Sequence, residues 1–279
     1  MKFSLLAILC LQGTSAFVPT APQSKPQTSS ALNILTKGLW SDLPPFPTDE
    51  PFKRIQGGGT VMTWPMPLDA ERVEMMFRSS GRPMKVTVQL WVGPLRQTHN
   101  MSIDLENGAI TPYRSVLKFK KGVGPVLRVI TTDQVEFPME AAISVPSKER
   151  SAIIGKSTTA LFDAADKLLI QGGDIQGKPF GKSGGVGGAV RTYPIPTEVN
   201  QIQVICWSRD TGSKSLKCKI ELLQGPNNVK QNYDLQVSGS HQPFTCVFQC
   251  PGPGYQIRIK NKKFVEDGLF QTAIIPYNG

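Results

Sequence analysis

A chain of 279 residues with 39% apolar content can bury a real core, so wholesale disorder is excluded, and the length suits one large or two small domains. Two histidines, His99 and His241, and the lack of CxxC spacing exclude a three-histidine metal site and a zinc ribbon; 26 glycines and 23 prolines suit a turn-rich β protein. The formal charge of +10 favours acidic partners only weakly, and the basic residues are spread along the chain instead of forming a stripe interleaved with aromatics, which argues against nucleic acid.

The N-terminus reads as an address. Met1-Lys2, the apolar run Phe3 to Leu11 and the small residues Gly13-Thr14-Ser15-Ala16 have the layout of a signal peptide over residues 1–16, cut between Ala16 and Phe17. The run is far shorter than the roughly 20 residues a membrane helix needs, so no span is expected in the mature protein. Residues 17–37 are rich in Ser, Thr and Pro and carry Lys without any acid, a transit-peptide composition. A signal peptide joined to a transit peptide with Phe17 at the junction resembles the bipartite presequence of plastid proteins in diatoms and related algae; plain secretion is the other reading. Loss of Lys2, Lys25 and Lys37 with this segment leaves +7 on residues 38–279.

Residues 38–56 form an arm in which prolines keep the chain extended and Trp40, Phe46 and Phe52 supply adhesive area. It either folds back on its own domain or docks on a neighbouring subunit.

An internal repeat then sets the architecture. Gly58-Gly59-Thr60-Val61-Met62-Thr63-Trp64-Pro65-Met66-Pro67 returns as Gly187-Gly188-Ala189-Val190-Arg191-Thr192-Tyr193-Pro194-Ile195-Pro196, 129 positions later. Val73, Met75 and Phe77 return as Ile202, Val204 and Cys206; Met84, Val86, Val88, Leu90 and Gly93-Pro94 return as Leu216, Cys218, Ile220, Leu222 and Gly225-Pro226; Leu127-Arg128-Val129 returns as Ile257-Arg258-Ile259. The apolar residues recur at period two, as in half-buried strands, and the Gly-Pro steps punctuate strand ends. The first copy predicts strands near 60–64, 71–79, 84–92, 100–105, 114–119, 126–131 and 137–145. The fold class expected is all-β, a tandem duplication of an antiparallel β-sandwich or jelly-roll-like domain, with copies at 57–146 and 186–279.

The linker, 147–185, breaks this pattern. Ile153, Ile154, Leu161, Phe162, Ala165, Leu168 and Leu169 fall near helical spacing and predict an amphipathic helix from Glu149 to Ile170, packed on a sheet or binding a partner, followed by a Gly/Lys-rich stretch. Cys206, Cys218, Cys246 and Cys250 are expected to be free thiols in a reducing stroma, although a secreted protein could pair them.

Several motifs are decoys. Gly155-Lys156-Ser157 and Gly181-Lys182-Ser183 look like P-loop endings, but Arg150 and Gln176 stand where the cradle needs its first glycine. Asp104 and Glu106 correspond to Gln236 and Ser238 in the second copy and are read as the surface of a hairpin turning at Asn107-Gly108. No nucleophile has a positioned histidine base, so an enzyme is the weakest reading and no cofactor is expected. Trp64, Trp91 and Tyr193 could stack sugars, making the chain a tandem carbohydrate-binding module. They are better taken, with Trp40, Phe46 and Phe52, as interface or self-assembly residues.

The starts GGxxxTWPMP and GGAVRTYPIP, the strand ends LWVGP and LLQGP, and TPYRSVLKF and VEFPMEA in the first copy together resemble the diatom pyrenoid shell proteins over roughly residues 55–277. The resemblance implies a non-enzymatic plastid protein of two related β domains that assembles with itself into a sheet around the Rubisco matrix at the pyrenoid periphery. VEDGLFQTA replaces VEFPMEA in the second copy, so any contact made there does not carry over directly. The partners implied are further copies of the chain and the Rubisco matrix.

Overall fold

The computed structural model describes residues 40–132, 137–163, 175–176, 190–208, 216–237, 242–262 and 269–279. The presequence with its Ala16-Phe17 junction, Gly181-Lys182-Ser183, His241 and the expected helix beyond Asp163 lie outside them.

Alternating apolar residues make the strands. The first copy gives β1 (Lys53–Ile55), β2 (Val61–Pro65), β3 (Arg72–Ser79), β4 (Met84–Val92), β5 (Arg96–Leu105), β6 (Tyr113–Lys118), β7 (Val126–Thr131) and β8 (Met139–Ser144). The helix α1 (Lys148–Asp163) follows. The second copy repeats the series as β9 (Ile175–Gln176), β10 (Val190–Pro194), β11 (Gln201–Ser208), β12 (Leu216–Gln224), β13 (Asn228–Val237), β14 (Phe244–Gln249), β15 (Tyr255–Asn261) and β16 (Leu269–Pro276). Val86, Val88 and Leu90 are buried while Thr87, Gln89 and Trp91 face the other side, as their period of two requires. Gly93 (φ 63°) and Gly225 (φ 77°) turn β4 into β5 and β12 into β13, a left-handed backbone that a Cβ would strain.

The tandem sandwiches join edge to edge into continuous sheets. Each contributes four strands to each of two antiparallel eight-stranded sheets. One sheet runs β1-β8-β3-β6-β14-β11-β16-β9, and the other β10-β15-β12-β13-β5-β4-β7-β2. Both orders read the same from either end once each strand is replaced by its counterpart, so the molecule has a pseudo-two-fold axis through a seam between the copies. At the seam, Ser102 lies opposite its own counterpart Asp234, and Ser115 opposite its counterpart Cys246.

The inner faces of both sheets share one core. Tyr113 on β6 stacks on Phe77 (centroids 5.1 Å apart) and meets Tyr233 of the other sheet edge-on at 5.1 Å; Tyr233 in turn stacks on Phe248 at 4.8 Å. This chain of rings crosses from one copy to the other, each ring fully buried. Cys206, Cys218, Cys246 and Cys250 are free, buried thiols. Burial pushes the Cys250 thiol up to about 12, and a hydrogen bond with Cys206, together with burial, holds Cys218 well above the ordinary thiol range. They behave as small hydrophobes.

Asn107-Gly108 is not a hairpin turn, as the Asn-Gly step had suggested. Strand β5 leaves it for β6 in the opposite sheet. Asn107 Oδ1 accepts from Ala109 N (3.0 Å) and Ile110 N (3.2 Å), making a short coil that crosses between the layers. A local turn signal could not say that the chain changes sheet there.

Candidate assembly surfaces

The faces and edges of the sandwich differ sharply. The outer face of the first sheet is covered by the arm and by α1. Leu43 of the arm is buried with Val116, Val247, Ile154 and Tyr277, residues from β6, β14, α1 and the C-terminal segment. Ser41 N donates to Pro276 O (2.9 Å), the Arg114 guanidinium donates to Pro44 O (2.7 Å), and Arg150 donates to Pro45 O. The arm therefore folds back across the seam and ties the first copy to the second.

The helix is held chiefly by polar contacts. Arg150 grips Glu74, a carboxylate buried on β3, through Nε at 2.5 Å and a second guanidinium nitrogen at 2.9 Å. Arg72 donates to Ser151 Oγ (2.7 Å), which donates to Glu71 (2.9 Å). Ile154 is buried, but Ile153, expected on the apolar stripe, is 53% exposed. The face turned to the sheet is Ser151, Ile154, Gly155 and Ser157, chosen for close approach: a Cβ at Gly155 would sit 2.9 Å from the Arg72 guanidinium. Period-3.6 reasoning finds an apolar stripe and cannot see a seat built from ion pairs. The same placement explains Gly155-Lys156-Ser157, which stands mid-helix and not at a phosphate-binding helix start.

The outer face of the second sheet is open and polar. Arg258 Nε (2.6 Å) and Lys219 (2.8 Å) share Glu221, Lys262 pairs with Asp234, and Lys230 pairs with Glu106 (2.8 Å). Glu106 thus belongs to a solvated charge lattice, and Asp104, half-buried, lies on β5 opposite Asn232. Trp91 lies on this face with its ring partly covered by Arg128, 5.8 Å from the centroid, and its indole N–H donates to Gln89 (3.0 Å).

The aromatic candidates are dispersed. Trp40 is 46% exposed at the start of the arm; Phe46 and Phe52 are half-buried, and the Arg78 guanidinium sits 3.8 Å over the Phe52 ring. Trp64 and Tyr193 are counterparts on β2 and β10, the two ends of the second sheet, with Trp64 half-buried against the core and Tyr193 buried. Sugar stacking needs open ring faces side by side, whereas Trp64 and Tyr193 are covered and at opposite ends of the sheet, and Trp91 stands apart from both on β4.

His99 is buried beside Thr98 (Nδ1 to Oγ1 3.0 Å), and burial pushes its imidazole down to about 4, so it stays neutral at physiological pH. Its counterpart is Gln231: Leu90 pairs with His99 as Leu222 pairs with Gln231. Gln231 Nε2 donates to Thr111 O (2.6 Å) and its Oε1 accepts from Tyr233 Oη (2.6 Å), contacts that knit the seam. Sequence reading missed this seam, because a repeat shows that two units are alike and not which of their edges meet.

What these features define is a duplicated β-sandwich with sheet edges at both ends. Residues 46–276 match the diatom pyrenoid shell protein family, and the chain belongs to that family. It is accordingly a non-enzymatic component of the shell at the periphery of the plastid pyrenoid. Among solved structures, the chain is similar to the PBSX exported protein XepA (8% identity, TM-score 0.27, covering 82% of this chain and 88% of that one). It is also similar to an uncharacterized protein from Burkholderia cenocepacia (12% identity, TM-score 0.24, covering 89% and 87%). No curated protein matches the chain at a significant level. No helix among the described residues is long and apolar enough to cross a membrane.

Proposed function

We propose that the processed protein builds the shell by binding copies of itself into a homopolymeric sheet that bounds the Rubisco matrix, and so supports CO2 fixation. One observation carries this reading: a shell-family chain whose second sheet ends, on both sides, in an edge strand with exposed apolar residues, Val61 on β2 and Val190 on β10. An edge strand is a template for pairing with another chain, and heterologous contacts that do not close make open arrays. The covered face of the first sheet and the open, charged face of the second give such a layer two distinct sides. The presequence reading, residues 1–37 with cleavage after Ala16, supplies the route to the plastid. The aromatic residues Trp40 and Phe46 are the parts of the arm that a neighbouring copy would meet.

Purified residues 38–279 are expected to form sheets or tubes under the electron microscope. Strictly monomeric elution at high concentration would count against the proposal. Fluorescent tagging in the native cell should give a rim around the pyrenoid.

A further inference from the structure

The ladder between β2 and β7 fixes which backbone groups of β2 are already used. Met66 N donates to Pro125 O (2.8 Å) and Thr131 N donates to Thr60 O (3.0 Å). Hydrogen-bonding direction alternates along an antiparallel strand, so Met62 and Trp64 also turn their N–H and C=O towards β7. Val61, Thr63 and Pro65 turn theirs outward. The second copy has the same phase, since Ile195 N donates to Tyr255 O (2.9 Å); Val190, Thr192 and Pro194 therefore face outward from β10. Among the described residues both strands are terminal in their sheet, and Val61 (47% exposed) and Val190 (46%) are counterparts.

We infer that β2 of one copy pairs antiparallel with β10 of the next, in the register that sets Thr63 opposite the neighbouring copy's Thr192. Two arguments choose this register. Both seam pairings inside the molecule are centred on a residue and its own counterpart, Ser102 with Asp234 and Ser115 with Cys246, and Thr63 with Thr192 repeats that rule. It also overlaps all five residues of each strand. Thr63 and Thr192 then exchange two hydrogen bonds. Val61 N–H donates to the neighbour's Pro194 O, and the neighbour's Val190 N–H donates to Pro65 O. Each proline lacks an N–H facing the partner, so the ladder stops at four bonds and cannot slide into a longer one. On the outer face the two threonines form a cross-strand pair, and on the core side Trp64 meets the neighbour's Arg191. Because β2 and β10 lie at opposite ends of one sheet, the contact repeats without closing and makes a file of molecules.

This inference rests on the self-assembly reading, and the test separates the two. Thr63→Cys and Thr192→Cys proteins are prepared singly, mixed and oxidised, the four buried native thiols serving as unreactive background. Directly opposed Cα atoms in such a pair stand about 5.5 Å apart, within disulfide range. Covalent dimer is expected in the mixture and absent from either single variant alone, and the double variant should give a ladder of multimers. Dimer from one variant alone would mean that like edges meet, and dimer from Thr63→Cys with Val190→Cys at the expense of the Thr192 pair would mean a slipped register; either overturns the inference. Sheets or tubes that form without any cross-link overturn the edge contact and leave self-assembly standing. A protein that forms no assembly sinks both.

Discussion

At the seam, β5 meets β13 along seven register pairs and β6 meets β14, and the residues between the layers are fully buried. At the two ends of the same sheet, β2 and β10 have five residues each, a proline at the last position, and only one long face against the core. The same pseudo-two-fold relation holds in both places. What differs is where the partner comes from. An edge whose counterpart lies in the same chain meets it at an effective concentration set by the linker and can afford a large apolar surface. An edge whose counterpart lies in another molecule has to stay soluble until the partner arrives, and so is short, polar in its centre and limited by proline.

The comparison breaks most visibly at the seam. Phe248→Ala removes a buried ring that stacks on Tyr233 across the layers, and should cost about 3–5 kcal/mol. Because the core is shared, both copies should unfold in one transition in denaturant. Fluorescence of Trp64 and Trp91 should follow the same curve as that of Trp207. Two separated transitions would show that the copies are energetically independent despite their continuous sheets. Next in size is the seat of α1. Arg150→Ala leaves the fully buried Glu74 carboxylate without its partner, a loss of about 3 kcal/mol. Glu74→Gln together with Arg150→Met should restore much of it, measured by the same unfolding curves.

His99 and Gln231 sharpen the comparison in pH. The imidazole of the unfolded chain takes a proton near 6.5, while the folded one refuses it until about 4. The unfolded state therefore binds more protons in this window. Stability is whole above pH 6.5 and falls as the pH drops towards 4, by up to about 3 kcal/mol. His99→Gln places in the first copy the residue the second copy already uses, and should flatten the decline between these values. An unchanged pH profile would locate the acid sensitivity elsewhere.

Much of this molecule was legible in its sequence. The strand series and the buried faces of β4 and β12 followed from period two and from the recurrence of Val86, Val88 and Leu90 as Cys218, Ile220 and Leu222. The seam was not legible, because alternation tells which side of a strand is buried and nothing about which strand lies beside it. Asn107-Gly108 misled for a related reason: the same local geometry serves a hairpin and a crossing between layers. Ile153 misled because the seat of α1 is made by Arg72 with Ser151, 79 positions apart in sequence, and by Glu74 with Arg150, 76 apart. Adhesive area marks an aromatic as an interface candidate, yet Tyr193 buries its ring in the core. Trp64 and Tyr193 sit on the edge strands β2 and β10, and those edges prove more informative than the rings.

The smallest effect on the fold should be the largest on assembly. Val61→Lys with Val190→Lys changes two half-exposed side chains on strands already at the rim, where surface substitutions stay within about 0.5 kcal/mol. The unfolding midpoint should barely move. In the array, each lysine would stand at the end of the four-bond ladder, beside a neighbour's proline, and would have to give up hydration there to let the backbones meet; charged edges of this kind are how solitary β proteins keep apart. Electron microscopy of the double variant should show dispersed particles under conditions where the parent forms sheets. If the sheets persist unchanged, the ends of the second sheet are not where copies join, and the contact belongs instead to the arm or to one of the faces.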